Sequence, residues 1–418
     1  MKKHKSTLSW EELKEFQAKE IDRIDGPNNA YSSLRLFRNP EPNTKVILYR
    51  DHHAWCPYCQ KIWLWLEFKK VPYKIGKVTM RCYGQKEPWY LNLVPSGILP
   101  AIKINSKIIT ESDEIILELE REFGPLGKSL KDSGNHDLRV LERNLFRAWC
   151  NWLCNPSIAF SQESRRKERF LEIASELESK LKKATNTWLD PLMEVGENKS
   201  MPGVGDIIFI PYLERMNASL SYYKGFCLRS YFPSIHQWFQ SLESFEEYLG
   251  TQGDFHTHAH DLPPQMGGCW KDSSEKQRVI SQEINNGNGF GEYETSQNSE
   301  TKGIYTSHPK AIALSRVIKH RENIIKVNPI KEYGFDQPIR AALTKMITSE
   351  DCMPNKGSAY GLRYLRDRIS VPRDMPILSA RALRQALEAT AQLDGAEEGP
   401  PIHFKNRYDQ NPLPFLQK

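Results

Sequence analysis

The 418-residue chain has little cysteine and no long apolar run. Its eight cysteines are too few to hold a chain of this length together as a disulfide scaffold, and we expect them to be reduced. The longest apolar stretches, such as Ile207–Ile210, fall far short of the roughly 20 residues that a membrane span needs. The basic start, Met1–Lys5, is followed by the polar helical pattern of Trp10–Ile24, where a secretory signal would need an apolar segment. We therefore expect a soluble, cytoplasmic protein with no membrane partner.

Changes in residue pattern along the sequence divide the chain into five stretches. A length of 418 residues predicts two or three domains, each large enough to bury its own core. Alternating strand and helix patterns are followed by purely helical spacing, then by a stretch rich in Ser, Gln, Asn and Gly, and then by a basic helical region. The predicted stretches are an N-terminal extension at 1–44, an α/β domain at 45–125, an all-helical domain at 137–250, a linker or loop at 251–307 and a basic C-terminal extension at 308–418.

The most informative motif is Cys56-Pro57-Tyr58-Cys59, which stands between the predicted strand Val46–Leu48 and an aromatic-rich helical stretch. Strand, Cys-x-x-Cys and helix in this order are typical of thiol–disulfide active sites. A thiol at a helix start faces free backbone N–H groups and the positive end of the helix dipole, which stabilise its thiolate. Cys56 is therefore the predicted nucleophile. Cys59 lies about one turn further on, where it can attack a mixed disulfide on Cys56.

Two features leave a metal site open as an alternative. A Cys-x-x-Cys pair can be half of a zinc site, but no second Cys-x-x-Cys follows to complete four ligands. His256, His258 and His260 alternate, so an extended segment would place three imidazoles on one side. Such histidines more often serve in capping and packing, so we expect no metal cofactor.

The positive charge of the chain is concentrated towards its C-terminus. Between His308 and Arg384 there are 15 Lys and Arg against 7 Asp and Glu. A patch for nucleic acid, an acidic protein or an anionic cofactor is one interpretation of Arg363, Arg366, Arg368, Arg373, Arg381 and Arg384 with Tyr360 and Tyr364. The other interpretation is a solvated charged surface, because acidic residues are interspersed among the basic ones. We therefore expect no nucleic-acid partner.

Taken in order, the motifs resemble those of a glutathione transferase. The resemblance covers about residues 45–250 and is carried by Cys56–Cys59, by Gly97-Ile98-Leu99-Pro100 before a strand, by Glu111-Ser112 opening a helix, and by Gly203-x-x-Asp206 in a helical domain. Cys-Pro-Tyr-Cys and the long C-terminal extension are most similar to the iota class of cyanobacteria and photosynthetic eukaryotes. The resemblance implies a thioredoxin-like α/β N-terminal domain, an all-α transferase domain and an additional, mostly helical extension.

The resemblance also implies a site for glutathione. Pro100 matches the family's cis-proline, and the backbone of Leu99 would pair with the cysteinyl part of glutathione. Glu111 and Ser112 match the pair that binds the γ-glutamyl end, although Ser112 would serve equally as a helix cap. Lys86 lies about where related cysteine-type transferases bind the glycyl carboxylate, and a solvated surface lysine is the alternative.

Further residues are assigned to the helical domain. Trp149 and Trp152 are the candidate walls of a second-substrate pocket between the domains, with packing in the core as the alternative. In Gly203-x-x-Asp206 glycine stands where the family has a Ser or Thr cap, so we expect Asp206 to bond back to the cap backbone. The resemblance allows a homodimer.

The cysteine nucleophile determines the expected chemistry, because transferases of this fold that conjugate electrophiles use a Tyr or Ser hydroxyl instead. The resemblance implies reduction of glutathionylated or other disulfide substrates, and of dehydroascorbate, with glutathione as co-substrate. The alternative is a non-catalytic scaffold that binds glutathione or an iron–sulfur cluster and docks an anionic partner through the basic extension. Pro57 argues against the cluster.

Overall fold

The computed structural model describes residues 6–156, 160–184, 186–193, 200–288, 308–330, 332–395 and 398–416. Its one large sheet has five strands in the order β1-β3-β2-β4-β5, and β3 is parallel to β2 while the other pairs are antiparallel. The strands are β1 (Leu34–Arg35), β2 (Val46–Asp51), β3 (Tyr73–Val78), β4 (Ala101–Ile104) and β5 (Lys107–Thr110). The predicted strands are confirmed, and the two-residue β1 was not predicted.

The sheet packs against helices on both faces. In chain order the first helices are α1 (Trp10–Lys14), α2 (Pro57–Phe68), α3 (Pro88–Leu93) and α4 (Ser112–Phe123). Every residue of α2 from Cys59 to Phe68 is buried, because the helix lies between the sheet and the helical domain. Its buried carboxylate, Glu67, accepts hydrogen bonds from Arg35 and from the Tyr73 hydroxyl at 2.9 and 2.6 Å, so no charge is left unpaired there. The predicted thioredoxin-like domain is confirmed.

The helical domain follows and surrounds one buried helix. Its elements are α5 (Ser133–Cys154), α6 (Phe160–Lys183), a hairpin of β6 (Pro191–Met193) and β7 (Ser200–Pro202), α7 (Val204–Ile207), α8 (Ile210–Lys224), α9 (Leu228–Tyr231), α10 (Pro233–Leu242) and α11 (Glu246–Leu249). Every residue of α8 is buried, and α8 packs against both α2 and α5. None of the described helices is long and apolar enough to cross a membrane.

Gly203 and Asp206 fix the start of α7, but not in the way we predicted. The Asp206 carboxylate accepts hydrogen bonds from the backbone N–H groups of Leu189 and Asp190, each at 2.9 Å, and from the Trp238 indole at 2.8 Å. These donors lie on other parts of the domain, so Asp206 ties three segments together rather than closing its own cap. Burial raises its pKa to about 7 despite these hydrogen bonds.

Gly203 is required by close packing. A Cβ atom at this position would lie 2.2 Å from the carbonyl oxygen of Asp190, a backbone atom that cannot move aside easily. We expect Gly203→Ala to lower the free energy of unfolding by about 1–3 kcal/mol, as overpacking does in other cores. The matched control is Gly134→Ala near the start of α5, where the nearest atom is Asp132 Oδ1 at 3.3 Å. Urea titration should show no loss for the control, and equal stability of the two variants would contradict the packing argument.

Residues 251–288, the described part of the predicted linker at 251–307, form ordered helices and not the linker that their composition suggested. The segment forms α12 (Phe255–Met266), capped by Asp254 through the Thr257 N–H at 2.9 Å, and α13 (Glu275–Asn285). Both helices pack against α8. The prediction failed because the buried face of α12 is largely polar, and pairing of polar groups leaves no apolar periodicity. The rest of the predicted linker, 289–307, lies outside the described residues.

The C-terminal extension has its own hydrophobic core. It consists of α14 (Pro309–Val327), α15 (Glu332–Thr348), α16 (Ala359–Arg368) and α17 (Ile377–Asp394), with α17 packed against the other three. Leu13 of α1 is fully buried in this core, so the start of the chain belongs to the C-terminal unit. The helical pattern predicted over Trp10–Ile24 is wrong beyond Lys14, the last residue of α1.

The arginines of the extension do not form an open basic patch. Arg363 and Arg366 pair with Glu388, and Arg384 pairs with Asp254. Arg368 and Arg373 donate to Asp409 and Asp374, each at 2.7 Å. These five arginines therefore have carboxylate partners within the molecule, and they do not present the unpaired charge that one interpretation of the sequence required.

Candidate active site

The loop that precedes α2 is held by one buried carboxylate. Asp51 ends β2, and its two oxygens accept hydrogen bonds from the backbone N–H groups of Trp55 at 2.7 Å and Cys56 at 3.2 Å. A local turn of this kind satisfies donors that the first turn of a helix cannot pair internally. Asp51 therefore fixes the position of Cys56 relative to the sheet.

Cys56 occupies the N-cap position of α2. Its Sγ accepts a hydrogen bond from the backbone N–H of Cys59, with Sγ 3.4 Å from the nitrogen. Burial raises the pKa of the Cys59 thiol well above its ordinary value, and a hydrogen bond to Cys56 raises it further. Cys59 thus stays protonated and directs both its thiol and its backbone donor at Cys56. The two predicted cysteines are adjacent but have different roles.

A buried arginine that the sequence analysis missed lies beside this loop. Arg215 of α8 donates to the Trp55 carbonyl and, at 2.9 Å, to Gln60 Oε1 of α2, with its guanidinium 4.8 Å from the centre of a Trp55 ring. Burial lowers the pKa of Arg215, whereas Glu214 and a thiolate at Cys56 raise it. The only signal in the sequence was a Glu-Arg pair within the apolar run of α8, which does not reveal a partner 160 residues away.

The sheet register brings the other predicted residues to the same edge. Tyr49 pairs with Ala101 and Ala101 pairs with Thr110, so the end of β2, Pro100 and Glu111 are neighbours across three strands. The Leu99–Pro100 peptide bond is cis, as the resemblance implied. Ser112 is buried as the first residue of α4, whereas Glu111 is exposed with a φ of +64° and makes no cap bond.

Lys86 reaches the same edge from the segment before α3. Its Nζ donates to the Thr79 carbonyl at 3.1 Å and lies 5.7 Å from the centre of the Tyr90 ring. Burial lowers the pKa of Lys86, and electrostatic interaction with the Cys59 and Cys56 side chains opposes this, so the ammonium group lies within electrostatic range of both sulfur atoms. The placement favours a site residue over the solvated surface lysine that was the alternative.

Residues 55–122, which include Cys56, Lys86, Pro100 and Ser112 but not Asp51 or Arg215, match the family model of the glutathione S-transferase N-terminal domain. Residues 55–122 therefore form a domain of the glutathione S-transferase superfamily. Among curated proteins the chain is similar to glutathione S-transferase DHAR2 of Arabidopsis thaliana, with 25% identity over 197 residues, 47% of this chain and 84% of that protein. It is also similar to glutathione S-transferase DHAR3, chloroplastic, of the same plant, with 23% identity over 48% of this chain and 69% of that protein.

Solved structures of transferases are also similar to about half of the chain. Dehydroascorbate reductase of Chlamydomonas reinhardtii is 22% identical with a TM-score of 0.39, over 49% of this chain and 91% of that one. Rice GST1, solved in complex with glutathione, is 14% identical with a TM-score of 0.42, over 53% of this chain and 97% of that one.

Trp149 and Trp152 do not line an open pocket in the part of the chain that the structure describes. Both are core residues with at most 2% exposure, and their indole N–H groups donate to Ser219 at 3.0 Å and Glu163 at 2.6 Å. The prediction that they wall a second-substrate site is wrong, because helical spacing shows that a face is apolar without showing which neighbour covers it.

A different aromatic group lies beside the motif. The Tyr58 ring lies 5.8 Å from that of Tyr212, which in turn lies 5.4 Å from Phe146. The Arg143 guanidinium is 4.6 Å from the centre of the Phe146 ring and 4.7 Å from that of the Tyr212 ring. Tyr58, Phe146 and Arg143 are partly exposed.

The histidine run lies on α12, a helix and not the extended segment that would place three imidazoles on one side. His256 and His260 share one face of this helix, with ring centroids 4.6 Å apart, whereas His258 lies on another face. His258 contacts Glu214 at 2.8 Å and His260 contacts Asn285 at 2.9 Å, while burial lowers the pKa of all three. Within the described part of the chain, the group able to hold a metal is Asp51, Cys56 and Cys59. Both oxygens of Asp51 are already engaged by backbone donors.

Proposed function

We propose that this protein is a glutathione-dependent thiol transferase that reduces glutathionylated or other mixed disulfides, with Cys56 as nucleophile. The observation that carries the proposal is the placement of Cys56 Sγ at the N-cap of α2, where it accepts the Cys59 N–H. The Cys56 sulfur faces a backbone donor at the positive end of the helix dipole, and the Arg215 guanidinium lies beside the same loop.

The reaction is a pair of thiol–disulfide exchanges. The Cys56 thiolate attacks the glutathionyl sulfur of a mixed disulfide, so a Cys56–glutathione disulfide forms and the substrate leaves as its thiolate, which takes up a proton. The thiolate of a second glutathione then attacks the glutathionyl sulfur on Cys56. Oxidised glutathione is released and the Cys56 thiolate is restored. Each turnover consumes one molecule of glutathione, which leaves joined to the glutathionyl group of the substrate as oxidised glutathione.

Glutathione rather than Cys59 resolves the intermediate in this proposal. Attack by Cys59 would require its thiolate, and burial raises the pKa of Cys59 well above its ordinary value. Its proposed role is to donate a hydrogen bond to Cys56.

The proposed glutathione site uses the edge of the sheet. The backbone of Leu99 beside Pro100 pairs with the cysteinyl part, Glu111 and Ser112 hold the γ-glutamyl end, and Lys86 binds the glycyl carboxylate. Ser112 supports this assignment because it opens α4, where unpaired backbone N–H groups suit a carboxylate. Cys-Pro-Tyr-Cys and the separately folded extension support membership of the iota class. A cytoplasmic location and a homodimer stay predictions.

The proposal is tested by comparing acceptors. The purified protein is assayed with glutathione and either a glutathionylated cysteine peptide, dehydroascorbate or an aryl chloride electrophile. We expect turnover with the peptide and no conjugation of the aryl chloride above the uncatalysed rate. A protein that conjugates the electrophile and leaves the peptide intact would overturn the proposal. Iron analysis of the same preparation tests the scaffold alternative, for which we expect a colourless, iron-free protein.

Lys86 offers a test of the glutathione site alone. Lys86→Met removes a charge-assisted hydrogen bond, so we expect the KM for glutathione to rise about tenfold while kcat changes less than about twofold. The matched control is Lys131→Met, an exposed lysine remote from the motif, which should leave both parameters unchanged. A Lys86 variant with the wild-type KM would remove this residue from the site.

A further inference from the structure

A cavity of about 480 Å³ lies between the thioredoxin-like domain and the C-terminal extension. Its walls come from the N-terminal segment, β3, α14, α16 and the last described residues of the chain. The volume falls in the range of small-molecule pockets, about 300–1,000 Å³, and is too small for a folded partner. We call it the extension pocket.

The extension pocket is lined by far more positive than negative charge. Six lysines and arginines line it against two aspartates. The aspartates are already paired, since Arg373 binds Asp374 and Arg368 binds Asp409. Arg23 and Lys319 share the carboxylate of Glu20.

Lys77 and Arg316 have no carboxylate partner within the described part of the chain. Lys77 Nζ donates at 3.3 Å to the carbonyl of Ala30, which also accepts from Arg50 at 2.9 Å. Arg316 donates to the Asp374 carbonyl at 2.7 Å and lies 4.0 Å from the centre of the Tyr31 ring. Burial and the charges of Arg50, Arg316 and Arg23 lower the pKa of Lys77 to about 7. Cations gathered in this way are costly unless an anion neutralises them.

The mouth of the extension pocket is apolar. Val327, Phe415 and Leu416 line it and are each 44–50% exposed, so three large apolar side chains face solvent at one place. Exposed apolar groups that cluster beside a cavity are typical of a binding surface. The pocket thus combines a cationic interior with an apolar entrance.

We propose that the extension pocket binds a small anionic amphiphile, with its carboxylate or phosphate head on Lys77 and Arg316 and its apolar body against Val327 and Phe415. A single anionic group matches two adjacent cations, and Arg316 presents a planar donor group suited to either head. The proposal is independent of the thiol chemistry at Cys56.

The proposal is tested by calorimetric titration with laurate and with dodecyl phosphate, each below its micellar concentration. We expect one molecule to bind per chain, and the stronger of the two ligands identifies the head group. Dodecanol supplies the tail alone and inorganic phosphate the head alone, and both should bind at least about tenfold more weakly. Equal affinity for dodecanol, or binding of several molecules per chain, would overturn the proposal.

Variants locate the site. Arg316→Gln should weaken binding about tenfold, whereas Lys326→Gln, an exposed lysine on the same helix α14, should not change it. Val327→Asp at the exposed mouth tests the same site without disturbing the core, and it should also weaken binding about tenfold. Thiol transfer should be unaffected in all three. Wild-type affinity in both Arg316→Gln and Val327→Asp would place the ligand elsewhere and refute the assignment.

Discussion

Cys56→Ser is expected to lower the rate of thiol transfer at least a thousandfold, because the hydroxyl that replaces the thiol cannot form the glutathionyl intermediate. The measurement is release of the reduced peptide from a glutathionylated substrate at fixed glutathione. Mass spectrometry of the wild-type protein after incubation with oxidised glutathione should show one glutathionyl group on the peptide that contains Cys56. Transfer by Cys56→Ser at the wild-type rate would refute the assignment.

Two substitutions of Cys59 separate its possible roles. Cys59→Ser keeps a side-chain hydrogen-bond donor next to Cys56 Sγ, so we expect at least half of the wild-type rate. Cys59→Ala removes that donor but leaves the backbone N–H in place, so we expect a loss of about three- to tenfold. If both variants lost activity equally and completely, Cys59 would be a resolving thiol and the glutathione-resolved route would be wrong.

The sequence predicted the positions of the motif residues in the fold where its signals are local. Cys56 follows from the order of strand, Cys-x-x-Cys and helix, whereas Pro100, Glu111 and Ser112 were assigned by the resemblance to a family. Once the strands pair in the register of this fold, these residues lie at one edge of the sheet. Their roles in a site stay predictions.

The sequence failed where a role depends on a distant partner. Arg215 contacts Trp55 across 160 residues, and Leu13 is buried among helices that begin some 300 residues later. Trp149 and Trp152 lie on an apolar face that we assigned to the cleft, but Ser219 and Glu163 cover it. Periodicity identifies a buried face without identifying what buries it, so these errors are of one kind.

The basic extension illustrates the same limit for charge. The count of 15 basic against 7 acidic residues suggested a basic surface. The count was misleading because it does not include acidic partners outside His308–Arg384. Asp254, Glu388 and Asp409 lie outside that range and pair with arginines inside it. Lys77 and Arg316 differ from these arginines, because they have no carboxylate partner within the described part of the chain and line the extension pocket.

Arg384→Met is expected to destabilise the protein by about 3–5 kcal/mol, because it leaves the buried Asp254 carboxylate without its partner. Arg384 of α17 binds the Asp254 carboxylate and donates to the Ile369 carbonyl at 2.7 Å, and both members of the pair are at most 5% exposed. Asp254 caps α12, so the contact joins the extension to the helix that packs on α8. The control Arg278→Met, at an exposed arginine of α13, should change stability by less than about 0.5 kcal/mol.

The pH dependence of the stability lost in Arg384→Met tests whether the loss is electrostatic. Burial raises the pKa of Asp254, whereas the charge of Arg384 lowers it. The resulting pKa of about 2 is below the value near 4 of an unfolded aspartate. A depressed pKa contributes stability above pH 4 that is lost as the pH falls towards 2. The gap between wild type and Arg384→Met in urea titrations should therefore narrow between pH 4 and pH 2. Adding Asp254→Asn to Arg384→Met should recover part of the loss, because the unpaired charge is removed. A gap that is constant with pH, with no recovery in the double variant, would mean that Arg384 contributes through packing alone and that the extension is not held to α12 by this ion pair.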